Sequence, residues 1–282
     1  MRRIVTFIVV SALVAGFVAL PAPGHDPTAE AVSTPTKIDV APYFWIDEAG
    51  SDFRPGPFLV PVQRKVDYTL GVGKAALEQL IAGPTTAEKN ASPAISTQVP
   101  KGTKLLNLTI ADGTAKVYFN SAFAGDDDSA AAALRVAQVV FTLTRYPTVD
   151  RVEFYQDGNR IKVQTASGNL RYKVTRKNYR PFMAAISVET PVYHGITKGT
   201  VHVTGEASVF EAAFRYRLEG ADGKAIRKGQ AMSTNGVGWG DFDFTLHYDV
   251  SERQVGKLKV WTYSAKDGSK IDLRVYPVVL KP

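Results

Sequence analysis

The side chains that most often do chemistry are present in this chain, but they are not spaced for it. Its four histidines are His25, His194, His202 and His247. None stands in the His-Glu-x-x-His spacing that places two imidazoles on one helix face for a metal, so they read as surface or edge-strand residues. His202 and His247 could meet across a sheet, although nothing in the sequence requires it. Gly71-Val72-Gly73-Lys74-Ala75 echoes a phosphate loop but fails at both ends. Tyr68 stands where the first glycine belongs, and Ala75 replaces the hydroxyl residue that would hold magnesium. Asp126-Asp127-Asp128 are consecutive and cannot supply the alternate-residue ligands of a calcium loop; in front of a helix they complement its N-terminal dipole. Glu206 and Glu211 flank Val209-Phe210. As a glycosidase pair they would need carboxyls about 5–9.5 Å apart in a cleft.

The strongest cluster is basic. From Leu170 to Pro181 no acid interrupts Arg171, Tyr172, Lys173, Arg176, Lys177, Tyr179 and Arg180. Cations interleaved with tyrosines suit a phosphate-rich wall polymer or an acidic membrane face. A solvated strand edge guarded by lysines has the same composition, so the segment carries both readings. These seven residues are the candidate binding residues. No catalytic, metal or cofactor residue is expected.

The chain that positions them has 282 residues, of which 45% are hydrophobic and 22% charged, a balance that fits globular structure in one large domain or two ordinary ones. It has no cysteine, which excludes disulfides, thiolate metal sites, cysteine nucleophiles and a lipid-modified N-terminal cysteine. The formal charge of +7 permits an anionic partner without identifying one. Met1-Arg2-Arg3 followed by the uncharged run Ile4 to Leu20 reads as an export signal. It is cleaved after Ala29-Glu30-Ala31 or retained as an anchor at the short edge of a membrane span. Either outcome places the remainder outside the cytoplasm and away from nucleic acid.

Residues 21–42 have no periodic apolar face and read as a tether, with order beginning near Tyr43. Tyr43 to Ile46 and Phe58 to Val62 read as strands. Ala76, Leu77, Leu80 and Ile81 form a helical stripe that ends at Gly83-Pro84. Asp112-Gly113 joins alternating runs into a hairpin, Ala130 to Thr144 reads as a second helix, and Asp157-Gly158 turns a further hairpin. The two helices are expected to cover one sheet face. From Ala185 onward no helical period appears, and short alternating runs recur with turn signals such as Asp222-Gly223 and Asp267-Gly268, the rhythm of a sandwich with Trp261 as a candidate core aromatic.

Four stretches carry a resemblance: Ala76-Leu77-Glu78-Gln79-Leu80-Ile81-Ala82-Gly83-Pro84, Pro100-Lys101-Gly102-Thr103-Lys104-Leu105, Asp112-Gly113-Thr114-Ala115-Lys116-Val117, and Thr142-Leu143-Thr144-Arg145-Tyr146-Pro147 with Val149 and Val152. In that order they resemble the GerMN (sporulation and spore germination) domain family. Thr190-Pro191, the run Val203 to Glu211 and Ser264 to Ser269 resemble the immunoglobulin-like domain of bacterial spore germination proteins. The resemblance implies an α+β GerMN-like domain followed by an all-β immunoglobulin-like sandwich. The expected boundaries are a signal peptide or anchor at 1–31, a flexible tether at 32–42, the GerMN-like domain at 43–166, a basic junction at 167–183 and the sandwich at 184–282. It also implies an envelope protein without established catalytic residues. Such relatives are typically lipoproteins, whereas this chain has no cysteine to accept lipid.

The expected function is therefore non-enzymatic: an exported binding or scaffolding module, secreted or anchored at the outer face of the cytoplasmic membrane. Its expected partners are other envelope proteins or an anionic cell-wall polymer, with membrane association through the N-terminal segment, and no nucleic acid or cofactor. An accessory or weak hydrolase of wall glycan or peptide is the alternative.

Overall fold

A computed structural model describes residues 36–48, 56–125 and 129–282. The export segment, its cleavage site and Asp126–Asp128 lie outside the described residues. The described residues belong to one compact unit. Its first strand, β1 (Lys37–Val40), lies inside the segment expected to be a tether; it pairs antiparallel with β4 (Arg64–Asp67), which brings Ile38 opposite Val66. The pair is laced by Lys37–Asp67 at 2.6 Å and Lys65–Asp39 at 3.1 Å. It closes over Ala75 and Ala76, and that distant packing is why a run too short to show a period becomes a strand.

Between them β2 (Tyr43–Ile46) and β3 (Phe58–Pro61) pair antiparallel, and β5 (Ile95–Ser96) adds to the other side of β2. Every residue of β2 and β3 is buried, so their continuous apolar runs reflect cover on both faces. The helix α1 (Val72–Ala82) ends at Gly83, whose φ of 79° favours glycine. The single turn α2 (Thr86–Lys89) carries a capping box between Thr85 and Glu88, and Arg64 holds that glutamate in a fork at 2.7 and 2.6 Å.

The main sheet of the first domain comprises β6 (Leu105–Ala111), β7 (Thr114–Phe119) and β8 (Arg151–Gln156), with β9 (Asn159–Ile161) also pairing to β8. The short ladder of β10 (Val163–Gln164) with β11 (Leu170–Arg171) follows, and β12 (Lys173–Val174) completes the sheet in the order β12-β8-β7-β6. β7 and β8 are parallel, so the chain between them must cross over, and α3 (Ser129–Thr144) makes that crossing. Ala115, Val117, Phe119, Val152 and Phe154 are buried within one cluster with Val136, Ala137 and Val140 of α3. The helices cover one face, as expected from sequence.

A polar stripe runs along α3, with no sign of it in the apolar period of the helix. Gln138 is fully buried, donates to the Tyr43 carbonyl at 3.0 Å and accepts from the Gln98 N–H at 2.8 Å. Thr142 Oγ1 accepts from the Tyr43 N–H at 3.0 Å, and the buried Arg135 guanidinium donates to the Phe123 carbonyl at 2.6 Å. These groups answer backbone that no strand pairs, which burial requires.

The second domain is a β-sandwich. Its strands are β13 (Ile186–Thr190), β14 (Ile196–Lys198), β15 (Thr200–Ala207), β16 (Ala213–Glu219), β17 (Ala225–Met232), β18 (Gly240–His247), β19 (Gln254–Tyr263) and β20 (Lys270–Lys281). One layer runs β13-β15-β18 and the other β14-β20-β19-β16-β17, with β14 touching both. Val201, Val203, Phe242 and Leu246 share a core with Phe214, Leu218, Leu258, Val260, Val278 and Leu280. Phe214 meets Phe242 edge-on at 4.9 Å. Gly205 is required in β15 because a Cβ there would run into the Ser187 carbonyl. Trp261 is buried but does not fill that core; it lies opposite Arg215, on the outer side of its layer, with the Lys270 ammonium 4.5 Å from its ring. The alternation of β19 puts it there, on the side of Lys257 and Lys259 and away from Leu258 and Val260.

Candidate binding surface

The structure divides the basic segment. Residues Arg176–Phe182 form a tight 3-10 turn opened by a capping box between Thr175 and Asn178. That winding points Arg176 and Arg180 toward the second domain and Tyr179 into the core. The Arg176 guanidinium donates to Thr144 Oγ1 at 2.9 Å and to the Tyr43 hydroxyl at 3.1 Å, pairs with Glu189, and lies 3.7 Å from Glu206. It also covers the Phe141 ring at 4.7 Å. Arg180 reaches the other oxygen of Glu206 at 2.6 Å and lies over Trp239 at 5.4 Å. Tyr179 is fully buried and donates to the Gln164 carbonyl at 2.9 Å; burial pushes its phenol well above the ordinary range.

With Tyr179 bonded within the first domain, Arg176 and Arg180 form the clamp between domains. Sequence spacing could not show this, because their acids lie on β13 and β15. Further contacts tie the same halves: the Tyr193 N–H donates to the Pro61 carbonyl at 2.7 Å, Arg145 donates to the Glu189 carbonyl at 3.0 Å, and Arg274 covers the Phe58 ring at 4.0 Å. Within the sandwich, the Tyr276 hydroxyl accepts from the Val188 N–H at 3.1 Å and donates to the Ile186 carbonyl at 3.3 Å.

Arg171, Tyr172, Lys173 and Lys177 remain exposed. Lys173 joins the sheet face that the helices leave open. There Lys116 lies beside Glu153, which lies opposite Lys173, while Asn107, Tyr118, Tyr155 and Arg160 form the neighbouring row. Tyr118 and Tyr155 stack with centroids 4.4 Å apart. Glu153 is only 6% exposed and pairs with Arg160 at 3.1 Å and Lys173 at 3.2 Å. Tyr172 is flanked by Arg160 at 4.9 Å and Lys162 at 5.2 Å from its ring. The result is a flat aromatic slab edged by cations, a surface that can stack and donate hydrogen bonds.

Lys116, Tyr118, Tyr155 and Arg160 were not singled out from sequence. Their signal was the polar side of the alternation, on which Lys116 and Tyr118 take turns with Val117 and Phe119.

The other sequence motifs stay apart. His202 Nε2 lies 2.6 Å from Asp243 Oδ1, and its register partner across the ladder is Thr245, not His247. Lys74 lies 3.9 Å from Glu78 one turn along α1. Glu206 is held by Arg180, while Glu211 is exposed in a left-handed loop with φ 57°. Among the described residues no group of three His, Asp or Glu side chains gathers at metal-binding distance. Among them no helix is long and apolar enough to cross a membrane.

Comparison with known proteins agrees with this architecture. Residues 42–162 match the family described as sporulation and spore germination. Residues 185–269 match the immunoglobulin-like domain of bacterial spore germination. No curated protein matches the chain. Among solved structures, the tandem GerMN domains of the Bacillus subtilis sporulation protein GerM are 15% identical with a TM-score of 0.42, covering 87% of this chain. The chain spans 61% of the length of that structure. The first GerMN domain of the same protein is 20% identical with a TM-score of 0.37, covering 49% of this chain and 98% of that one. This chain thus carries a sporulation and spore germination domain followed by the immunoglobulin-like domain of bacterial spore germination.

Proposed function

We propose that the protein is a non-catalytic binding or scaffolding module of the bacterial envelope, exported by its N-terminal segment and acting on the outer side of the cytoplasmic membrane. The observation that carries this reading is the open face of the first domain's sheet, where Lys116, Tyr118, Tyr155, Arg160, Tyr172 and Lys173 offer stacking and charge without a helix above them. The clamp at Arg176 supports it, because two domains fixed to each other present that face at a constant position relative to the sandwich. The partner on this face is another envelope protein.

The test is photo-crosslinking in intact cells from a probe at position 118, with a probe at exposed Lys101 as reference. A discrete product from position 118 that the Tyr155→Ser, Arg160→Ser variant loses is the expected result. Identical products from both positions would refute the docking face. A reporter fusion active only in the cytoplasm would refute export.

A further inference from the structure

The outer face of the larger sandwich layer concentrates cations that few acids answer. Along β16, Arg215 and Arg217 alternate with buried Phe214 and Leu218. The ladder sets Arg217 between Lys228 on β17 and Lys259 on β19, and sets Arg215 between Gln230 and Trp261. Lys257 lies opposite Glu219 in the next row. Directly opposed residues share a face, so Arg215, Arg217, Lys228, Lys257 and Lys259 form one lattice of positive charge. Its spacing is about 4.8 Å between strands and about 6.8 Å between same-face residues along a strand.

A single sunken acid organises the lattice. Glu219 is 4% exposed and lies 3.1 Å from Arg217 Nε and 2.8 Å from Lys259 Nζ. Arg215, Lys228 and Lys257 are exposed and have no acidic partner among the described residues. Lys270 adds a further charge above Trp261.

We infer that this face binds a linear polymer carrying a phosphodiester at each repeat, laid across β17, β16 and β19. The inference rests on the envelope reading above only for where such a polymer is met; the charge complementarity is the sandwich's own. A row of fixed cations at strand spacing suits a chain whose anions recur along its length, because each successive phosphate finds a guanidinium or ammonium and releases its counterion. Among the exposed apolar side chains of this layer, Met232 and Tyr263 stand at one end and Val255 at the other, beyond Lys257, with the cations between them.

The test measures binding of the full chain, in nonionic detergent, to purified poly(glycerol phosphate). Affinity should fall steeply between about 50 and 200 mM salt. R215Q/K228Q/K257Q should weaken binding by about tenfold or more and flatten that salt dependence, with an unchanged unfolding transition. K89Q/K101Q/K104Q removes the same charge from exposed positions of the first domain and should bind like the parent. K257Q alone should show a partial loss, which keeps the test open if the triple variant folds poorly. Equal losses in the two triple variants would mean that net charge alone acts, and would overturn the inference. So would no binding by the parent, or a preference for phosphatidylglycerol-containing micelles over the polymer. None of these outcomes touches the crosslinking at position 118, so the two readings fail separately.

Discussion

Arg176 and Arg215 are the same residue type in two cationic regions of one chain, yet they do different work. Arg176 sits at a seam, its side chain 15% exposed, with Glu189 and Glu206 delivered from two strands of the other domain and the Phe141 ring beneath it. Arg215 stands on an open sheet with Gln230 and Trp261 on either side and no acid opposite. The function of a cation follows from what the tertiary fold places across from it. Where acids are desolvated alongside, the cation holds structure. Where none arrives, its charge is left for a partner.

That contrast can be broken. Arg176→Met leaves Glu189 and Glu206 short of a partner in a half-buried seam, and should cost about 2–3 kcal/mol in urea unfolding. Adding Glu189→Gln should recover part of the loss, as coupling between the two positions requires. A loss no greater than that of an exposed arginine would erase the distinction.

Glu219→Gln probes the intermediate case, a buried acid within an exposed cationic face. It should cost about 1–2 kcal/mol, because Arg217 and Lys259 lose their shared counter-charge. The same variant should tighten poly(glycerol phosphate) binding, which separates the acid's effect on stability from its effect on the face.

Arg64 supplies a pH test of a paired cation. Burial pushes the Glu88 carboxyl up, but the Arg64 fork and the Thr85 N–H outweigh it and hold the group below its ordinary value of 4.5. The native state thus favours the charged form, so the stabilisation is complete above pH 4.5 and is lost as pH falls through the depressed value. Arg64→Met should cost about 1 kcal/mol at pH 7, and the deficit should shrink below pH 4.5. A deficit independent of pH would assign the arginine's effect to its packing on Phe44, 5.2 Å away.

The smallest effect is expected from Arg215→Gln, within about 0.5 kcal/mol of the parent in stability. A larger loss would show that the sandwich cations are structural after all.

Much of the fold was legible because its elements carry strong local periods. The stripe Ala76, Leu77, Leu80 became α1, and the alternation around Asp112-Gly113 became the β6–β7 hairpin, with φ of 50° and 70° at the turn. β1 and α2 were not legible, since four residues hold too little pattern and their stability comes from Val66 and from the Arg64 fork. Trp261 lies outside the core for a different reason: alternation sets it with Lys257 and Lys259, away from Leu258 and Val260, although its apolar ring alone suggests a core position. The surface candidates divided in the same way. Lys173 stayed on the surface, whereas Arg176 and Arg180 met acids from β13 and β15.

The order of an α+β unit and a β-sandwich, the absence of cysteine chemistry and the excess of positive charge are all plain in the sequence, because periodicity and composition are local properties of the chain. Which cations are paired is set by the folded arrangement of the strands. Glu189 and Glu206 reach Arg176, and Glu219 reaches Lys259, through strand registers that no short window of sequence contains. Electrostatic free energy depends on distance in space and on burial, and folding sets both.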